Sequence, residues 1–302
     1  MINYVQQGSF TLPKLNQDTI TVLFDVLADG RLITSDGFAI QIENSLGSRQ
    51  FTQVGVVPAA VPSFMRVSPN GTQVALGDGN RVFVFDPSDL NTYKTFVASN
   101  FDGEWVDDAK LAISSVGQVA PSTVVKVLDV GSGAITTIIQ GIAGSPAGIT
   151  IDQTGNLYSG NGLGMNPSTT GTIKAFPELE WMAPLSEGSV INFDSSGTLV
   201  ANLLSAAFLG FDKQGNLYVG GGDFATGTDK GYAAIVSKSA IEAALAGGSP
   251  VFSASPVNKL QRLDPDPDEN FWFVKSNWVT GELYLKDYSS LNVNIFKKRK
   301  AC

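Results

Sequence analysis

Short apolar runs alternate with polar pairs along this chain, and one arrangement of them recurs. It reads as an apolar strand, a polar pair ending in Gly, a second apolar strand, then Gly with Asp or Asn. It appears as FDVLADGRLITSDG from Phe24, VSPNGTQVALGDG from Val67, ITIDQTGNLYSGNG from Ile149 and GFDKQGNLYVGGGD from Gly210. A fifth copy, FWFVKSNWVTGELYLKD, begins at Phe271, and EWVDDAKLAISSVG from Glu104 carries Asp107-Asp108 where the others turn on Gly. Apolar and alternating runs of this length predict strands, and the polar Gly-containing pairs between them predict hairpin turns.

Six such hairpins in 302 residues average about fifty residues each, enough for four strands and their connections. Third strands are expected over 81–85, 124–130, 171–176, 232–237 and 291–296. The predicted fold is all-β: one domain over 1–302, a six-bladed β-propeller of four-stranded antiparallel blades. A strand from one terminus should complete the blade built by the other, and residues 2–5 or 9–12 are the candidates. Such a clasp removes an exposed sheet edge. The intervals between hairpins lengthen late in the chain, which predicts insertions near 177–204 and 238–268. The first is expected to hold an extra hairpin, VINFDSSGTLVANLL. The second contains a helix, SKSAIEAALAGG, with Ser239 as its cap, Glu242 three positions on and Gly247-Gly248 at its end.

Composition narrows the function by exclusion. The chain has no His, which removes Ser-His-Asp triads, Cys-His dyads and His-based zinc or haem sites. Its net charge of −8 argues against nucleic-acid and anionic-membrane partners. The basic run Lys297–Lys300 reads as a solvated tail. No stretch is long and apolar enough to predict a membrane span. The single Cys302 excludes an intrachain disulfide. The expected setting is secreted or periplasmic, with the leader not in this chain. There is no Walker motif and no Gly-x-Ser-x-Gly elbow, and GNGLG from Gly160 lacks the spacing of a dinucleotide fingerprint. Asn70-Gly71 reads as a hairpin turn, and the acidic run Asp264–Glu269 as a solvated loop.

Counting from each turn Gly brings polar residues into register. Asp36, Asn161 and Asp287 lie six positions on, Asp78 seven and Asp223 eight. Each ends a second strand, so all should reach one rim, at the face shared by the blade-to-blade connections. Asp102 with Glu104, and Glu269 with Asn270, precede the third and sixth hairpins and are expected at the same rim. A mouth lined with such oxygens suits a hard cation such as calcium, or a polyol. The competing reading is turn chemistry, because Asp, Asn and Gly are what tight turns select. Among the four tryptophans, Trp105 and Trp272 read as blade-to-blade packing, and Trp181 is the candidate for stacking on a ligand.

The segments GITIDQTGNLYSGNG and GFDKQGNLYVGGGD resemble NHL-type repeats. They also resemble blades of the gluconolactonase and senescence-marker-protein group of six-bladed propellers. The shared element is an apolar strand, Asp-x-x-Gly-Asn, Leu-Tyr and a run of small residues. That resemblance implies a central divalent cation, usually calcium, held by a Glu and several Asn or Asp. The positions that would supply it here are Asp102, Glu104, Asn161, Asp223 and Asn270. Two functions stay open. One is a non-catalytic module that binds a small-molecule, glycan or protein ligand through the acidic rim residues Asp36, Asp78, Asn161, Asp223 and Asp287 and through Trp181. The other is a calcium-dependent lactonase or ester hydrolase, in which Glu104 or Asp223 activates water.

Overall fold

The structure is a computed structural model. It describes residues 2–16, 21–116, 122–144, 148–161, 171–203, 205–221, 232–263, 271–287 and 290–299. The hairpin alignment carries through to six antiparallel blades. Blade 1 comprises Leu23–Val26, Leu32–Ser35, Ala39–Glu43 and Phe51–Val56; blade 2, Phe64–Val67, Val74–Gly77, Arg81–Asp86 and Asp89–Val97. Blade 3 comprises Asp102–Asp107, Lys110–Val116, Ser122–Asp129 and Ile135–Ala143. Blade 4 comprises Ile149–Ile151, Leu157–Gly160, Gly171–Phe176 and Thr198–Leu203; blade 5, Phe208–Phe211, Leu217–Gly221, Tyr232–Val236 and Leu260–Arg262. In blade 6, Phe271–Asn277, Glu282–Asp287 and Asn292–Lys298 are joined by the N-terminal strand Tyr4–Thr11.

The first strand of each blade is innermost. These strands touch their neighbours in chain order, and the sixth touches the first, so the ring closes. The clasp spans both stretches expected of it, from Tyr4 opposite Lys298 to Thr11 opposite Asn292. Gln261 of blade 5 reinforces it by accepting from the Tyr4 N–H (2.8 Å) and donating to the Tyr4 carbonyl (2.7 Å). Chain direction then defines two ends. The hairpins between first and second strands lie at one, called here the hairpin end. The connections between blades, and those from second to third strands, lie at the other, the crossover end. The turn glycines share a left-handed backbone, with φ from 72° at Gly281 to 86° at Gly30, which a side chain strongly disfavours.

Both insertions emerge between third and fourth strands, at the hairpin end. The segment after Pro177 is not an additional hairpin. It forms helix α1 (Glu178–Glu187), then a two-residue bridge, Ile191–Asn192, parallel to the outer strand of blade 3. Thr198–Leu203 is the outer strand of blade 4 itself. Helix α1 escapes sequence reading because Pro177 offers no side-chain cap and Pro184 sits inside the helix. It is held instead by Trp181, which packs with Ile138, Phe176 and Phe193. Helix α2 (Lys238–Leu245) is capped by Ser237, not Ser239, through an Ala240 N–H to Ser237 Oγ bond of 3.3 Å. Val251–Phe252 then bridges in parallel to the outer strand of blade 4. Each insertion therefore straps its own blade to the preceding one.

Candidate functional site

An inner strand alternates its side chains between a blade interface and the central axis. Read back from the turn instead of forward, the repeat aligns a second set of positions. Five residues before the turn Gly stand Asp25, Arg66, Thr150 and Gly210. Glu104 holds the same place in blade 3, before the Asp107-Asp108 turn. Lys275 holds it in blade 6, where the turn is one residue longer and closes by a Gly281 N–H to Asn277 carbonyl bond. Asp25, Arg66, Glu104, Thr150 and Lys275 line a cavity of about 560 Å3 that opens at the hairpin end.

Blade 5 has no side chain to contribute. A Cβ at Gly210 would collide with the ring and hydroxyl of Tyr218, its partner across the hairpin. The glycine is what lets the Tyr218 phenol cross the inner strand into the cavity.

Five charged groups are knitted together there. Arg66, 4% exposed, donates from Nη2 to both oxygens of Asp102, at 2.8 and 3.0 Å. Those oxygens also accept from the N–H groups of Gly103 (2.9 Å) and Ile149 (3.1 Å). Asp25 accepts from the N–H groups of Val26 (2.9 Å) and Val67 (2.8 Å) and pairs with Lys275 Nζ at 3.3 Å. Lys275 also donates across the ring to the Met65 carbonyl, at 3.3 Å. Glu104 is the looser member. It accepts from the Trp105 N–H (3.1 Å) and from Thr150 Oγ1 (3.4 Å), and its Oε2 stands 3.6 Å from Arg66 Nε. Its side chain is 24% exposed, and Arg66 Nε is buried with no hydrogen-bond partner.

Burial sets the protonation balance. It raises the Glu104 carboxyl above the ordinary range, against the opposing pull of Arg66 and Lys275. It lowers the Lys275 ammonium, with Arg66 adding to the effect. The Tyr218 phenol is raised, first by burial and then by the Glu104 and Asp25 carboxylates.

Deeper in, Leu23, Phe208 and Phe273 belong to one buried cluster with Phe101 packed on it. The Phe208 and Phe273 rings lie 4.5 Å apart, and Phe101 reaches Phe208 at 5.8 Å across the axis. This apolar layer lies beyond the charged ring, and none of its residues lines the cavity itself. At its mouth Trp278 is 46% exposed, anchored by an Nε1–H bond of 3.2 Å to the Phe211 carbonyl, with Ala28, Pro69 and Asp152 around it.

Four of the residues singled out by the forward count, Asp36, Asp78, Asn161 and Asp287, are described; they lie at the crossover end and accept from backbone donors. Asp36 accepts from the N–H groups of Leu15, Asn16, Phe38 and Ala39. Asp78 holds the Arg81 N–H (2.7 Å) and guanidinium (2.7 Å). Asn161 accepts from the Thr172 N–H, and Asp287 from the Ser290 N–H. Asp223, Glu269 and Asn270 lie outside the described residues. Asp102 and Glu104 sit on the inner strand of blade 3, not ahead of it, and face the axis. Trp181 is 1% exposed and donates from Nε1 to the Gly155 carbonyl (2.8 Å), so its ring offers no face to a ligand. Trp105 does bridge blades, through Nε1 to the Arg66 carbonyl at 2.9 Å.

The described residues do not fit calcium on the axis. Arg66 and two N–H groups take the Asp102 oxygens, Lys275 takes Asp25, and two cations stand where a third would have to bind. Among the described residues no three acids converge as ligands.

No protein-family model matches the sequence, and no curated protein matches it. Solved structures match in fold. The PQQ domain of pyranose dehydrogenase from Coprinopsis cinerea superposes with a TM-score of 0.64 at 13% identity, covering 98% of this chain and 97% of that one. A calcium structure of a Trichoderma reesei carbohydrate-active enzyme of family AA12 gives 0.64 at 12% identity, covering 98% and 97%. Virginiamycin B lyase from Staphylococcus aureus gives 0.56 at 10% identity, covering 98% and 100%. At these identities the likeness is one of fold.

Proposed function

We propose that this propeller binds a small polar molecule in the central cavity at its hairpin end. The observation that carries the reading is the ring of inner-strand side chains. Asp25, Arg66, Glu104, Thr150 and Lys275 come from five blades and converge on one open cavity. Burying that many charged groups costs free energy. A fold needing only a filled axis has apolar side chains for the purpose, as the Leu23, Phe208 and Phe273 layer next to it demonstrates. Asp25 and Asp102 are committed to backbone donors and cations, and Asp152 to Asn156 and Tyr158, which leaves Glu104 as the least committed acid of the cavity. The reading is therefore one of recognition. The hydrolase alternative rests on a calcium ion that the described donor set does not accommodate.

A fragment screen by ligand-detected NMR tests this. Hits should compete with one another. They should be lost in Ala28→Trp, which blocks the mouth from an exposed position, and weakened in Glu104→Gln. Hits that survive both changes place the binding site elsewhere.

A further inference from the structure

Resting on the cavity reading, we infer that the ligand is a neutral polyhydroxylated compound, of the sugar or cyclitol class, with one hydroxyl bound between Arg66 and Glu104. Two observations carry this independently. The first is the unfilled hydrogen bond at that spot. Arg66 Nε is a buried donor without a partner, and Glu104 Oε2 lies 3.6 Å away, too far to serve it. An oxygen within hydrogen-bonding distance of both closes the triangle. It must accept from Nε–H and donate to the carboxylate at once. A hydroxyl does both; an ammonium can only donate, and a carboxylate can only accept. Glu104 is the more exposed of the two, 24% against 5%, so it meets the hydroxyl first.

The second observation is the sign of the charges around the ring. In blade order they run acid at Asp25, base at Arg66, acid at Glu104, uncharged Thr150 and Tyr218, then base at Lys275. An anion at Arg66 or Lys275 also meets an acid in the next blade, and a cation at Asp25 or Glu104 meets Arg66; Asp152, an acid at the mouth, is already held by Asn156 and Tyr158. A neutral ligand with many donors and acceptors meets neither penalty. Trp278 and Phe211 at the mouth supply apolar faces for the C–H side of such a ring.

Calorimetry with matched probes tests the inference. The neutral set is D-glucose, D-galactose, D-xylose and myo-inositol; the charged pair is D-glucuronate and 6-amino-6-deoxy-D-glucose. The expected result is that at least one neutral probe binds, with the charged analogues at least about tenfold weaker. Glu104→Gln, with its melting temperature checked for intact folding, should weaken the neutral probe by a similar factor. A charged analogue that binds as tightly as its neutral parent overturns the ligand class, and so does silence from every neutral probe. In either case, fragments of another chemistry displaced by Ala28→Trp would leave the cavity itself standing as the site.

Discussion

Arg66→Met removes the cation from a fully buried ion pair. Asp102 would keep the Gly103 and Ile149 N–H bonds but lose two guanidinium contacts, at 2.8 and 3.0 Å. Breaking one side of a buried pair costs about 3–5 kcal/mol, because a charge is left without compensation. Lys275 acts on Asp102 from across the ring and favours the lower part of that range. For a chain of 302 residues the loss corresponds to a fall of roughly 5–8 °C in melting temperature. Urea denaturation at several pH values is the assay. The unpaired Asp102 in the variant should hold its proton far more tightly folded than unfolded. The deficit should then be full above its folded pKa and shrink as pH falls towards the unfolded value. The double variant Arg66→Met/Asp102→Asn keeps an acceptor for the two N–H groups and removes the charge, so it should recover about 2 kcal/mol. A single variant within about 1 kcal/mol of wild type, or a deficit independent of pH, refutes the view of Asp102 as a buried anion dependent on Arg66.

Deleting residues 1–12 exposes the edge of blade 6 and removes Ile2, Tyr4 and Leu12 from the core, so stability should fall by at least about 3 kcal/mol; an unchanged denaturation midpoint would dismiss the clasp. Gly210→Ala should cost about 1–3 kcal/mol by driving Tyr218 from its place, and a double-mutant cycle with Tyr218→Ala should show strong coupling between the two. Lys286 is fully buried, donates to the Asp287 carbonyl (2.7 Å) and lies 5.2 Å from the Phe273 ring centre; burial lowers its pKa to about 7. The folded chain then sheds a proton near pH 7 that the unfolded chain keeps to about 10.5, so stability should climb with pH across that window. Lys286→Met should flatten that slope, which denaturation at pH 6, 8 and 10 reads directly.

The propeller was legible in the sequence because its elements are local. Alternation, turn glycines and the fifty-residue period each concern neighbours in the chain, and the hairpins, third strands and clasp appear where those signals fall. The site was legible only in part. Glu104 and Asp102 stood out as acids ahead of a hairpin, but Arg66, Lys275 and Asp25 read as ordinary charges within strands. Counting back five positions from the turn Gly would have aligned Asp25 and Arg66, since a strand's face follows from its parity, but Lys275 stands six back because its turn is one residue longer. No sequence signal distinguished the crossover-end acids, whose oxygens backbone donors satisfy, from the ring that meets a cavity. The helix after Pro177 was invisible for a similar reason: packing of Trp181 holds it, not a cap or a clean amphipathic period.

Two nearly identical turns mark the boundary between sequence and tertiary structure. Blades 4 and 5 both carry Asp-x-x-Gly-Asn-Leu-Tyr, and in both the Asn amide bonds the Asp carboxylate, Asn156 to Asp152 and Asn216 to Asp212. The sequence alone determined that much, because the turn is closed within five residues. The tyrosines then part. Tyr158 faces Thr150 across its hairpin and donates back to Asp152 at 2.9 Å. Tyr218 faces Gly210, crosses the vacated space and enters the cavity, while Tyr4 of the N-terminal strand takes its place on Asp212 at 3.0 Å. Which tyrosine serves the turn and which serves the site depends on space that four other blades and a distant strand leave open. Gly210, a local difference from Thr150, opens the path, but the cavity at its end and the Tyr4 hydroxyl on Asp212 are brought there by closure of the ring, the latter from 208 residues away.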